Sequence, residues 1–318
     1  MLLDKLDQKL LLELYKDARQ SNAQIGKTLL CSKEVIQYRL KRLEENGIIT
    51  KYIPIINFSR LGYTIYRLQI KFTTKNKSAW IAYFKSLPQT SWIVELQGNW
   101  DVVVLFWIKQ QQEIFALVDN IKQHFGPQIQ TTLLTIVDAI HYFAPNYISS
   151  DQKSLAQRTT YLLKSTSLPA IQISDIQTAL LKSLMHNGKQ SILSIAQEME
   201  ASTTNLQYHL KQLQKDKIIL GFIPILNHSA LGYTHLKLTL NLVNPAQKNQ
   251  LKQYLSLQPS VIYITESYGN YDLEFECVAR DLPHLFEFLD ILTNQIPLKN
   301  YEIIYNNKEI LVNDMPHD

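Results

Sequence analysis

Ser32-Lys33-Glu34-Val35-Ile36-Gln37-Tyr38-Arg39-Leu40-Lys41-Arg42-Leu43 is the stretch that decides the fold. Its serine suits a helix N-cap, because the hydroxyl oxygen accepts from an orphan backbone N–H of the first turn. Glu34 follows where the positive end of the helix dipole favours an anion. Ile36, Leu40 and Leu43 recur at intervals of four and three, which sets one apolar stripe against a core. Lys33, Gln37, Tyr38, Lys41 and Arg42 fall off that stripe and can reach another molecule. Glu45-Asn46-Gly47 ends the helix, with glycine suited to the left-handed position after the last turn. Taken alone, the stretch is better described as an ordinary amphipathic helix with a solvated charged face.

Repetition separates the two readings. A shift of 170 positions lays Ser202-Thr203-Thr204-Asn205-Leu206-Gln207-Tyr208-His209-Leu210-Lys211-Gln212-Leu213 on the first stretch. The match runs on: Ile53-Pro54-Ile55 falls on Ile223-Pro224-Ile225, and Leu61-Gly62-Tyr63-Thr64 on Leu231-Gly232-Tyr233-Thr234. The chain is a tandem duplication whose period exceeds that of a solenoid repeat, so each half holds a complete set of domains.

The 318 residues leave room for about two to four compact domains. A hydrophobic content of 46% excludes a disordered chain, and a formal net charge of +4 permits nucleic-acid binding without requiring it. Cys31 and Cys277 stand at non-equivalent positions and offer neither a disulfide framework nor a zinc site. No cofactor or metal is expected. Met1-Leu2-Leu3-Asp4-Lys5-Leu6-Asp7 has acids where a secretory signal needs a basic start. The longest apolar run, Val102 to Ile108, is far short of the roughly 20 residues of a membrane helix. A cytoplasmic place and no membrane partner are therefore expected.

Along the chain, Leu3, Leu6, Leu10 and Leu14 share a helical face, with Asp4 and Asp7 as a capping pair. Ser21 and Gln24 start a second short helix, and Ser174 and Gln177 repeat the capping box in the second copy. Three short helices so connected make a helix-turn-helix, and Ile48 to Ile56 supplies its wing. The period then changes: Tyr66, Leu68, Ile70 and Phe72 alternate with Arg67, Gln69 and Lys71, as in a strand. Helices and strands follow in the order β-α-β-β-α-β in each half, the split βαβ arrangement of ferredoxin-like domains. The expected class is α+β, with winged helix-turn-helix units at 1–60 and 172–230. Ferredoxin-like domains are expected at 61–146 and 231–318, joined by a linker at 147–171. Within the linker, Leu155 to Leu163 suits a short helix.

This plan resembles the Lrp/AsnC (feast/famine) regulators. The residues that carry the resemblance are Leu3-Asp4-Lys5-Leu6-Asp7, Arg42-Leu43-Glu44-Glu45-Asn46-Gly47-Ile48-Ile49 and Gly98-Asn99-Trp100-Asp101. The second half departs at Lys217, which replaces Gly47, but keeps Gly269-Asn270-Tyr271-Asp272. The resemblance implies double-stranded DNA as a partner and ferredoxin-like sheets that pair face to face, within one chain or between copies. It also implies sensing of an amino acid or other small metabolite between those domains.

For DNA, Ser32, Lys33 and Gln37 are the expected base readers, since the N-terminal half of a recognition helix enters the major groove. Tyr38, Lys41 and Arg42 are expected on phosphates. The second-copy counterparts are Ser202, Thr203, Gln207, Tyr208 and Lys211, and the loss of Lys33, Arg39 and Arg42 there predicts weaker binding. Gly98-Asn99 and Gly269-Asn270 suit two-residue hairpin loops, and the resemblance sets Gly98, Asn99, Asp101, Gly269, Asn270 and Asp272 near an effector. Asp101 and Asp272 either bind an amino group or cap the turn. Val102–Ile108 is apolar on both faces and needs a cover, whereas Glu274 and Glu276 leave the matching strand's outer face partly wet. Some relatives of this architecture are siroheme decarboxylases. That chemistry calls for histidine and arginine, and the stretches Trp92–Ile108 and Val261–Arg280 hold none apart from Arg280. A scaffold whose second helix-turn-helix has decayed is the remaining alternative.

Overall fold

The computed structural model describes residues 3–74, 76–149, 158, 160–165 and 169–311. The first half opens with three helices, α1 (Lys5–Lys16), α2 (Asn22–Leu29) and α3 (Lys33–Glu45). Each starts on a side-chain cap: Asp4 with Asp7, Ser21 with Gln24, and Ser32, whose Oγ accepts from Val35 N–H. These caps satisfy backbone donors that a helix start leaves without partners. Gly26 lets α2 pass close to the turn into α3, since a Cβ there would lie 2.6 Å from the Cys31 carbonyl oxygen. The second half repeats the plan with α6 (Asp175–His186), α7 (Ile192–Glu198) and α8 (Thr203–Lys215).

The strands after the helices, β1 (Ile49–Ile56) and β7 (Ile219–Leu226), pair antiparallel with Ile53 opposite Ile223. The expected wing of each unit thus binds the wing of the other unit within the same chain. One apolar core, including Leu10, Leu14, Ile36, Leu43, Leu180, Leu184, Leu206 and Leu213, runs through both helix-turn-helix units. Burial on that scale welds the two units into one body.

The first ferredoxin-like half comprises β2 (Thr64–Phe72), α4 (Lys77–Ser86), β3 (Thr90–Gln97), β4 (Val102–Ile108), α5 (Gln111–Phe125) and β5 (Ile129–Phe143). After a short linker strand, β6 (Thr160–Lys164), and the second helix-turn-helix come β8 (Thr234–Leu242), α9 (Lys248–Ser256), β9 (Val261–Tyr268), β10 (Leu273–Ala279), α10 (Leu282–Gln295) and β11 (Leu298–Leu311). Both halves have the order β-α-β-β-α-β. The sheets do not merely face one another. The long strands β5 and β11 first pair within their own sheets, with β2 and β8, and then run on along the edge of the other, β5 with β9 and β11 with β3. Eight strands close into a barrel, which removes the open edges a free sheet would present.

Strand alternation places Leu68, Ile70, Leu238 and Leu240 outward, under α4, α5, α9 and α10. It places Arg67, Gln69, Lys237 and Thr239 inside. Glu274 and Glu276, read from sequence as partly wet, are also inside and buried. The expected helix at Leu155–Leu163 falls partly outside the described residues, and Thr160–Leu163 is strand paired with β5. Arg158 secures the linker by donating to the carbonyls of Ala144, Gln258 and Val261. No helix among the described residues is long and apolar enough to cross a membrane.

Candidate nucleic-acid interface and barrel interior

On α3 the stripe Ile36, Leu40 and Leu43 is buried, and Ser32, Lys33, Gln37, Tyr38 and Lys41 are exposed. Lys33 and Lys41 sit 3.8 and 3.6 Å from Glu34 and Glu45. Exposed pairs of this kind contribute little, so both ammonium groups remain available to an anion. Arg42 departs from the expectation. Its guanidinium is 2.5 Å from the buried Asp7 carboxylate, and Arg39 bridges Asp4 and Asp7 at 2.6 and 2.8 Å. These arginines fasten α3 to α1 instead of facing outward as phosphate contacts. The Asp4 carboxyl is held below its usual range, first by the Arg39 hydrogen bond.

On α8, Ser202, Gln207, Tyr208 and Lys211 are exposed and Thr203 half-buried. Ser202 Oγ accepts from Asn205 N–H at 3.5 Å, as Ser32 does in its own helix. Because Arg39 and Arg42 are committed to acids, their replacement by His209 and Gln212 removes little outward charge. The two outward faces differ at Lys33-Glu34-Val35 against Thr203-Thr204-Asn205, where the lost cation is offset by a lost anion, a smaller asymmetry than the aligned sequences alone suggest.

The turn motifs lie at the ends of β2 and β8 remote from the helix-turn-helix units. Gly98, Asn99, Gly269 and Asn270 are exposed, but the loops are longer than two residues: β3 stops at Gln97 and β4 starts at Val102. Gly98 takes φ +116° and Gly269 φ +156°, where side chains are strained. Asp101 accepts from the Phe72 N–H at 2.8 Å and pairs with Lys71 at 3.0 Å, and Asp272 accepts from the Leu242 N–H at 2.7 Å. Both aspartates brace the ends of neighbouring strands instead of capping their own turns.

The barrel interior holds what the sequence reading missed. Arg67 donates to Glu274, and Lys237 lies 3.2 Å from Glu274 and 3.7 Å from Glu276. Ser267 Oγ donates to Glu274 at 2.7 Å, and Arg67 Nε to Thr135 Oγ1 at 3.2 Å. Burial alone would raise the Glu274 carboxyl. Arg67, then Lys237, more than offset that and hold it near about 2. His235 Nε2 meets Glu276 at 2.8 Å, with the His228 ring beside it and Tyr147 Oη 2.6 Å from His228 Nδ1. Burial, then His235, push His228 down to about 3, so it is neutral near pH 7. Arg67 and Lys237 are equivalent in the duplication, but Glu274 and Glu276 stand where the first half has Val103 and Leu105. The interior is therefore acidic on one side and apolar on the other. Arginine and histidine do reach it, as Arg67 from β2 and His235 from β8, neither of which lies in Trp92–Ile108 or Val261–Arg280.

Two helix-turn-helix units carried on a single ferredoxin-like barrel define a tandem DNA-binding class of protein. The profile of the winged helix-turn-helix DNA-binding family matches residues 3–50. The HTH-type transcriptional regulator FL11 of Pyrococcus furiosus is 27% identical over 136 residues, 42% of this chain and 90% of its own length. The regulator LrpA of Pyrococcus abyssi is 30% identical over 122 residues, 37% of this chain and 85% of its own. The chain belongs to the Lrp/AsnC family of transcriptional regulators, with one relative's length held about twice over. Over its full length it is similar in fold to the siroheme decarboxylase NirDL. The TM-score is 0.66 at 11% identity, covering 98% of this chain and 94% of that one.

Proposed function

We propose that the protein is a cytoplasmic, nucleoid-associated regulator that reads a pseudo-palindromic operator with both recognition helices of one chain. The observation that carries this is the pairing of β1 with β7, which fixes α3 and α8 to one another without a second subunit. Paired recognition helices read two half-sites at a set spacing. Ser32, Lys33 and Gln37 read bases in one half-site, Ser202, Thr203 and Gln207 in the other. Tyr38, Lys41, Tyr208 and Lys211 hold phosphates. The half-sites differ most where Lys33 faces one and Thr203 the other, because lysine donates to guanine acceptors and threonine is less selective. A small metabolite acting through the barrel adjusts operator affinity. Selection from random duplex DNA tests the reading. Two spaced half-sites, one with a guanine lost on Lys33→Ala, are expected, and enrichment of no motif at low salt refutes it.

The full-length likeness to a decarboxylase supports a second reading, in which the barrel takes a tetrapyrrole. Glu274 and Glu276 inside the barrel are poor company for a polycarboxylate, and this favours the regulator over the enzyme. Anaerobic incubation with siroheme discriminates between them: spectral turnover supports the enzyme, an unchanged spectrum the regulator.

A further inference from the structure

A cavity of about 130 Å³ opens inside the barrel at the end facing β1 and β7. Phe58, Trp92, Leu105 and Trp107 form its apolar side, and Arg67, Lys237, Glu276 and Glu309 its charged side. A smaller void shares Arg67, Trp92, Lys237 and Glu276 with it and adds Gln69. The two cations are already matched, Arg67 by Glu274 and Lys237 by Glu274 and Glu276. What remains is acceptor capacity. Glu309 is an exposed residue that lines the mouth of the cavity, so its carboxylate is open to a ligand. Gln69 is 1% exposed, and its Oε1 accepts no hydrogen bond among the described residues. A buried acceptor without a donor is costly, so such a wall calls for N–H groups and positive charge. Trp107 packs on Phe58, and Trp92 adds a half-buried aromatic surface that favours a cation.

We propose that the barrel interior is a binding site for a compact organic cation, a primary amine on an apolar body, with the ammonium on Glu309 and the body against Trp92 and Trp107. A water needs about 10–15 Å³ of such space, so the cavity accepts a body of about ten non-hydrogen atoms. Gln69 offers a further acceptor in the adjoining void. A free carboxylate on the ligand would meet Glu276 and Glu309, which selects amines over amino acids. Burial, then Glu276, raise the Glu309 carboxyl above its usual range against His235 and Lys51, and an ammonium beside it favours the ionised form. Regulation by this ligand rests on the regulator reading; binding itself does not.

The test uses the full chain with 2-phenylethylamine, phenylacetate and 2-phenylethanol at equal ionic strength, followed by thermal shift and tryptophan fluorescence. Saturable stabilisation by the amine alone is expected, weakened about 10-fold or more by Glu309→Gln. Ile140→Phe, which fills the cavity from its wall, should abolish amine binding with the circular dichroism spectrum unchanged. Equal binding of the acid, no response to the amine, or wild-type affinity in either folded variant overturns the proposal. Operator affinity is measured on the same preparations. Amine binding without DNA binding sinks the regulatory reading alone, and the converse sinks this site alone.

Discussion

Arg67→Met strands a carboxylate in the middle of the barrel. Glu274 is fully buried, and its carboxyl lies near about 2 because Arg67 and Lys237 together outweigh burial. Against an unfolded value of 4.5, that gap corresponds to about 3 kcal/mol of stability at neutral pH. The folded value is the lower one, so this stabilisation is complete above about 4.5 and is lost as pH falls towards 2. Removing one partner of a buried pair typically costs about 3–5 kcal/mol. At roughly 2 °C per kcal/mol for a chain of this size, the variant should melt about 6–10 °C below wild type at pH 7. Its acid limb should also flatten, because Glu274 would already be close to protonation. Melting followed by circular dichroism from pH 7 to 2.5 reads both effects. Arg67→Met/Glu274→Met should recover much of the loss, since neither charge is then left alone. Equal melting temperatures at pH 7, with an acid limb of wild-type steepness, would refute the reasoning.

Other substitutions probe separate parts of the account. Lys41→Ala should lower operator affinity and reduce the slope of log affinity against log salt by about one phosphate contact, read by fluorescence anisotropy. Arg42→Ala should instead lower thermal stability by about 1–3 kcal/mol with little change in salt slope, because it strips a partner from the buried Asp7. Lys217 holds φ +55° where the first half has Gly47, so Lys217→Gly should stabilise the chain by about 1 kcal/mol in a denaturant titration. A Cβ at Gly269 would lie 2.6 Å from Thr135 Cγ2, whereas Gly98 faces open space. Gly269→Ala should cost about 1–3 kcal/mol more than Gly98→Ala, and Thr135→Ser, which deletes only that methyl, should restore most of the difference.

The helices were legible because caps and apolar spacing are local: Asp4–Asp7, Ser21–Gln24 and Ser174–Gln177 form where the sequence places them. The alternation of Arg67, Gln69 and Lys71 likewise disclosed a strand with one polar face. It did not disclose what covers that face. Periodicity describes one element at a time, whereas the barrel depends on β5 and β11 crossing to the other sheet, a choice made between residues more than a hundred positions apart. For the same reason Glu274 read as half-wet and Arg42 as outward. Each finds its partner, Arg67 or Asp7, on another element, and only the folded chain brings them together. The outward face of α3 was legible, since Lys33, Gln37, Tyr38 and Lys41 are exposed as expected.

Covalent tethering of the two halves has a consequence for what their shared interior can contain. In a symmetric pair of identical subunits each substitution arrives twice. Glutamates at both copies of the Glu274 and Glu276 positions would confine four negative groups with two positive ones, far too costly to keep dry. A single polypeptide escapes that rule: one half keeps Val103 and Leu105 while the other acquires acids, so lopsided chambers become available to selection.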